Sequence, residues 1–374
     1  MTTVLTAAAL NRATLARQML LARQKASVVE AVHLLGGLQA QLARPPHIAL
    51  WSRIEGFRRE ELTEAATRRD LVRGTLMRGT LHLVTPAEYA LVRPQVQPML
   101  TKSIRSVLRE RAAELDIDAL VKASRDYLSA GPRTFEEIRD HLTLLKLPGD
   151  ERARGFAVRM SVPLVQVPDG SAWGWPGESP FALADAWLKQ SVFETDASRP
   201  EPAAERLVTW YLAAFGPASV ADAQSWSGIA SLKEAFEALR PRLVTFRDER
   251  KRELFDLPDA PRPDAETEAP VRLLPEFDAL GLAHDDRSRL VDEAHKKLLF
   301  RPNLRNPPMF LVNGRVAGTW EIDPKKKKST VELTAFAKIP KKSQDALAAE
   351  AESLSRFIEP TAKDHEVRFI SPSK

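Results

Sequence analysis

The chain has 374 residues, long enough for two to four domains, and its 44% hydrophobic content can supply each with a core. It has no cysteine, which excludes disulfides, thiolate nucleophiles and Cys-ligated zinc and makes a cytoplasmic, bacterial-style protein the default reading. No long uncharged apolar run can span a membrane, and the net charge of +5 is unevenly spread: residues 1–114 hold 17 Lys+Arg against 9 Asp+Glu, the rest 38 against 41.

The opening MTTVLTAAALNRATLARQ has no basic segment ahead of its apolar stretch, so it reads as a first helix, not a secretion signal. Ser27 and Glu30 pair as a cap for a second helix running to about Leu38. The stretch GGLQAQLARPPHIALWSR follows from Gly36. Gly36-Gly37 and Pro45-Pro46 weaken regular helix on either side of Gln39 and Gln41. Residues two apart on a helix point about 200° apart, whereas in an extended segment they project to one side. Two readings stand at this point: the amides converge on one cavity, or they cap backbone groups in an awkward turn. A further helix is expected near Ile48–Ile54, and VRGTLMRGTLHLV, from Val72, alternates like a hairpin.

An internal repeat organises the middle of the chain. YLSAGPRTFEEIRDHL from Tyr127 aligns with YLAAFGPASVADAQSW from Tyr211 if one residue is inserted. Each reads as helix, Gly-Pro turn and capped helix, with Thr134 and Glu137 as one capping box and Ser219 and Asp222 as a weaker one. A helical stretch and two short strands follow each copy: VPLVQVPDGSAWGW after the first, LVTFRDERKRELFDL after the second. Helix-turn-helix, helix and hairpin make a winged-helix unit. The spacing predicts three, over residues 1–115, 116–200 and 203–262, and a β-rich region over 263–374 beyond the Pro- and acid-rich linker DAPRPDAETEAP. In that region Asn313-Gly314 signals a tight hairpin, and GRVAGTWEID and STVELTAF flank a second whose tip carries Lys325, Lys326, Lys327 and Lys328. Such a tip is either a solvated guard against edge pairing or a charged finger for phosphates.

The seven histidines show no metal-binding spacing, and no phosphate-cradling or dinucleotide-binding glycine loop occurs, so no metal and no cofactor is expected. SWSG at 225–228 is not a nucleophile elbow, because it lacks the required leading glycine; Trp226 and Trp320 read as core residues. LPEFDALGLAHDDRSR, with Glu276, Asp278, His284, Asp285, Asp286, Arg287 and Arg289, is either a catalytic cluster or a set of mutually neutralising ion pairs.

Five motifs in order, GLQAQLARPPHIALWSR, RGTLMRGTLHLVTP, YLAAFGPASVADAQSW, LLPEFDALGLAHDDRSR and NGRVAGTWEI, resemble the winged-helix DNA glycosylases of the AlkZ/YcaQ type from about Leu10 to about Phe336. The resemblance implies an α+β fold of tandem winged helices in a C shape around duplex DNA. It also implies hydrolysis of the N-glycosidic bond of bulky N7-alkylated purines, crosslinks included. The AlkZ-like branch carries a Gln-apolar-Gln motif, matched by Gln39-Ala40-Gln41, which implies that these two amides are the catalytic residues. Arg44, His47 and Arg53 beside them, with Arg315 and Lys325–Lys328 on the last region, are the expected phosphate contacts. The expected partner is double-stranded DNA with alkylated bases, met by a monomer. A non-catalytic winged-helix DNA reader is the alternative.

Overall fold

The computed structural model describes residues 3–193, 201–299, 306–325 and 328–370, which form a mixed α+β fold around three sheets. The N-terminal part runs β1 (Val4–Leu5), α1 (Ala7–Arg17), α2 (Val28–Leu34), β2 (Leu38–Gln39), α3 (Arg44–Trp51), α4 (Arg59–Thr67), β3 (Val72–Thr75), β4 (Leu81–Val84) and the 23-residue α5 (Pro86–Leu108). Helix α2 ends four residues before the expected Leu38, because the two glycines turn the chain there. Helix α3 begins earlier than expected, at Arg44. Its two prolines sit in the first turn, where no amide N–H is needed and the fixed φ already suits a helix.

The two repeat copies fold alike. In the first, α6 (Ile117–Ser129), α7 (Phe135–Leu144) and α8 (Glu151–Ser161) precede β5 (Leu164–Gln166), β6 (Phe181–Leu183) and the short α9 (Ala184–Leu188). In the second, α10 (Ala203–Phe215), α11 (Val220–Ser227) and α12 (Lys233–Leu239) precede β7 (Val244–Asp248) and β8 (Glu253–Asp256). Both capping boxes form: Thr134 Oγ1 accepts from the Glu137 amide at 3.2 Å, and Ser219 Oγ accepts from the Asp222 amide at 3.2 Å. The first hairpin departs from expectation. Strand β5 pairs with Phe181–Leu183, not with the SAWGW segment after the Pro-Asp-Gly turn, which instead loops over the sheet and buries Trp175.

The sheets join parts that the sequence separates. One has the order β2-β4-β3-β5-β6, so strands from both sides of the expected 115/116 boundary share a ladder, with Arg73 opposite Gln166. Another has the order β1-β7-β8, where the chain start runs parallel to β7. Helix α1 ties the parts further. Arg17 grips both carboxylate oxygens of buried Asp256 at 2.7 and 2.8 Å, Gln18 donates to the Ala214 carbonyl at 3.0 Å, and Arg12 donates to Asn313 Oδ1 at 2.7 Å.

The C-terminal part comprises β9 (Arg272–Leu274), α13 (Glu293–Leu299), β10 (Met309–Val312), β11 (Arg315–Lys325), β12 (Lys328–Ala335), α14 (Lys341–Ile358) and β13 (Asp364–Ile370). Its sheet has the order β13-β12-β11-β10-β9. Asn313 (φ 46°) and Gly314 (φ 77°) make the expected tight turn between β10 and β11. The expectation of a β-rich region omitted α14, whose apolar stripe of Leu347, Ala351, Leu354 and Ile358 packs beside Trp320, Val331 and Leu333 of the sheet. Trp226 and Trp320 are both core residues. No helix among the described residues is long and apolar enough to cross a membrane.

Candidate functional site

The Gly36-Gly37 pair ends α2 in a specific way. Gly36 (φ 75°) donates its amide to the His33 carbonyl and Gly37 (φ 76°) to Val32, the two reversed bonds of a Schellman cap. A Cβ at either position would meet Phe215 Cε2 at 2.6 Å or Val84 Cγ1 at 2.7 Å, so only glycine fits. The chain thus leaves the helix directly into β2, where Leu38 pairs with Leu83 and Gln39 with His82 of β4. Gln39 therefore sits on extended backbone, while Gln41 lies in a bend two residues beyond the end of β2.

The β3–β4 hairpin holds both amides. Its turn, Met77-Arg78-Gly79-Thr80, closes with the Thr80 amide donating to the Met77 carbonyl at 3.1 Å. Arg78 (φ 54°) and Gly79 (φ 71°) both have left-handed backbone at the tip of the connection between Thr75 and Leu81. Arg78 accepts the steric cost of that conformation, about 1–2 kcal/mol, and its half-buried guanidinium reaches back across the sheet. Its Nη2 donates to Gln39 Oε1 at 2.9 Å, and its Nη1 donates to the Trp226 carbonyl. Gln41 Oε1 accepts the backbone N–H of Leu81 at 3.1 Å. Both amides are half-buried, and each carbonyl oxygen keeps a second lone pair. From below, Arg73 Nε donates to the Ala40 carbonyl at 2.8 Å and its Nη2 to Gln41 O at 3.3 Å. His82 is buried behind the turn; burial, then the nearby Arg78 charge, pushes its pKa down to about 3, so it is neutral.

Gln41 lines two cavities. One, of about 440 Å³, is walled by Arg73, Arg159, Gln166, Trp175, Phe135 and Phe181. The other, of about 670 Å³, lies against the C-terminal sheet and is lined by Arg44, Glu276, Phe277, Thr319 and Glu321. Glu276 Oε1 accepts from Arg44 at 3.4 Å, while its Oε2 is buried with no hydrogen-bond partner. The next residue, Phe277, is held at φ 61°, an uncommon backbone state for a bulky side chain.

The expected phosphate contacts separate into two sets. His47 and Arg53 face inward. Arg53 is 1% exposed, with its guanidinium bound to both Asp278 oxygens at 2.9 Å and to the carbonyls of Gln18 and Ala49. His47 is fully buried, edge-on to Trp173, with Nε2 at 3.2 Å from the Trp173 carbonyl; burial lowers its pKa to about 4. Neither presents a charge to solvent, so the expectation that they grip phosphates is corrected: their side chains hold α3 in place. Arg44 is half-exposed and faces Glu276. Arg315 bonds Asp292 and the Ser288 carbonyl, and Lys328 Nζ lies 2.9 Å from Glu366. Lys325 ends β11, while Lys326 and Lys327 lie outside the described residues.

Acidic residues of the LPEFDALGLAHDDRSR segment pair with charges from other parts of the chain, which neither of its two readings anticipated. Asp278 takes Arg53, Asp286 takes Arg252 at 2.8 Å, and buried Asp222 receives the amides of Asp285 and Asp286. Sequence reasoning passed over Arg73, Arg78 and Arg159. One local signal marks the first two: Arg-Gly-Thr occurs twice, at 73–75 and 78–80. Gly74 is needed in the strand because a Cβ would lie 2.6 Å from Tyr89 Cε2.

Among the described residues no group of three or more His, Cys, Asp or Glu is placed to hold a metal ion. The family described as DNA glycosylase AlkZ-like matches residues 32–357, and the chain belongs to that family. It is 27% identical over 329 residues, 82% of this chain and 85% of the relative, to the interstrand DNA cross-link repair glycosylase of Streptomyces sahachiroi. Its fold is similar to that of the solved Streptomyces sahachiroi DNA glycosylase AlkZ, with a TM-score of 0.76 at 20% identity, over 98% of this chain and 100% of that one.

Proposed function

We propose that this chain is a monofunctional DNA glycosylase that releases N7-alkylated purines from duplex DNA, interstrand crosslinks included, with Gln39 and Gln41 as its catalytic residues. The repeat copies and the β3–β4 and β7–β8 hairpins are read as winged helices set around the duplex. The observation that carries the proposal is the Gln39-Ala40-Gln41 segment, running from the end of β2 into a bend and held by Arg73, Arg78 and the Leu81 amide, with both amides half-open to solvent.

An amide has no pKa near neutrality and cannot act as a general base, so it suffices only where the leaving group is already activated. An N7-alkylated purine carries a positive charge. When the C1′–N9 bond breaks, its electron pair passes to the purine, which departs neutral without protonation. Positive charge develops on the sugar, as in other glycoside cleavage. The free lone pairs of the two carboxamide oxygens orient the water and face that charge, a positioning and electrostatic task. The water oxygen bonds C1′ and its proton leaves to solvent or to the carboxylate of Glu276, a residue that lines a cavity with Gln41.

The test is release of free base from duplexes with N7-methylguanine or a crosslink, by wild type, by Gln39→Ala/Gln41→Ala and by Glu276→Gln. Losing both amides is expected to slow release by on the order of 100- to 1000-fold. Release by the double variant at the wild-type rate removes the assignment. No release by wild type with tight duplex binding selects the non-catalytic reader.

A further inference from the structure

We propose that the cavity of about 440 Å³ beside Gln41 is an oxyanion site in which Arg73 and Arg159 seat a phosphate, namely a phosphodiester of the damaged strand.

Its charges are uncompensated. Arg73 and Arg159 both line the cavity, no Asp or Glu among the described residues does, and neither guanidinium has an ion pair among them. Buried charges are ordinarily paired, because desolvation is otherwise unrelieved. Here burial lowers the pKa of both arginines, and the neighbouring Arg159 charge adds to the effect on Arg73. The donors are also unfilled. Arg159 Nε has only a 3.5 Å contact with Thr75 Oγ1, and its Nη2 is buried with no partner. Gln166, 9% exposed, lines the same cavity, and its side-chain amide carries an NH2 donor. Arg73 is held by the Ala40 and Gln41 carbonyls and lies over Trp175 at 5.4 Å.

The open fork of Arg159, the Arg73 charge with its Nη1 outside the two carbonyl bonds, and an amide around one space match the acceptor-rich shape of a phosphate. A bound phosphate removes the repulsion between the arginines. It also fixes the strand against the backbone carbonyls of the Gln39–Gln41 segment, so that one sugar faces the amides. The identity of the phosphate as DNA backbone rests on the glycosylase reading, whereas the oxyanion site does not.

The experiment compares wild type, Arg159→Gln and Arg159→Lys on duplexes with one N7-methylguanine, measuring affinity against salt, thermal midpoint and base release. Arg159→Gln is expected to bind less tightly and to lower the salt slope by about 0.9, with Arg159→Lys restoring the slope. Single methylphosphonates are then placed around the lesion. One position should weaken wild type and leave Arg159→Gln unchanged, which identifies the backbone as the source. Saturable quenching of tryptophan emission by inorganic phosphate, lost in Arg159→Gln and with a silent methylphosphonate scan, identifies free phosphate and overturns the backbone assignment. An unchanged slope in Arg159→Gln with no response to phosphate overturns the site as a whole, even if base release stays intact. A slope change in an enzyme that releases no base leaves the site standing and removes the glycosylase reading instead.

Discussion

Arg78, at the tip of one hairpin, donates to the side-chain oxygen of Gln39 on the neighbouring strand across 2.9 Å. Because the donor is a guanidinium, the bond fixes which end of the carboxamide is oxygen and leaves its Nε2 on the opposite side. The same contact polarises the carbonyl that the proposed mechanism turns toward the sugar. Arg78 is a positioning residue in this scheme. Arg78→Met should lower kcat by on the order of 100-fold, the cost of a small misplacement at a reacting centre, with KM little changed. Arg78→Lys should recover part of the loss. Single-turnover release beside thermal midpoints checks this, and a matched loss of stability and activity in Arg78→Met would count against it.

Arg53 lies in the most basic part of the chain, yet Asp278 absorbs its charge inside the core. Arg53→Met leaves the Asp278 carboxylate buried and unpaired, which should cost about 3–5 kcal/mol in urea unfolding. The salt slope of DNA binding should stay at the wild-type value. A lowered slope in folded variant protein would restore Arg53 as a phosphate contact.

His47 links stability to pH. Its folded pKa of about 4 lies below the unfolded value of about 6.5. Between those values the unfolded chain binds the proton and the native chain does not, so stability rises with pH in that window. The stabilisation is fully present above about pH 6.5 and is lost as pH falls toward 4. At pH 5 the loss from His47 should be about 2 kcal/mol relative to pH 8. His82, with a pKa near 3, and His284, also lowered by burial, act with the same sign. His47→Gln should flatten the acid side of the curve by His47's share, measured by urea unfolding at pH 8 and pH 5. An unflattened curve would show that His47 is not neutral in the native state.

A charged finger for phosphates is one of the two readings of the lysine-tipped hairpin. Lys328 is 40% exposed and pairs with Glu366, and an exposed pair of that kind is worth at most about 1 kcal/mol, so a phosphate can replace it. Neutralising Lys325–Lys328 to Gln should lower the salt slope by about 0.9 for each phosphate no longer neutralised, without reducing the rate of base release at saturating enzyme. Unchanged affinity and slope would return the run to a solvated loop.

Local chemistry in the chain determined a good deal. The Asn313-Gly314 turn, the Thr134 and Ser219 caps, the Gly-Gly exit from α2 and the extended placement of Gln39 all follow from backbone preferences that act within a few residues. Tertiary structure alone decided which charges meet solvent. Arg53 finds Asp278 225 residues away, Arg17 finds Asp256 239 residues away, and β5 takes a strand from beyond the expected turn as its partner. A count of basic residues records sign but not partner, and partners so distant are chosen by packing of the whole chain. Arg73 and Arg159 show the converse: their lack of an acidic partner among the described residues became visible only once the sheet and α8 had placed them on one cavity.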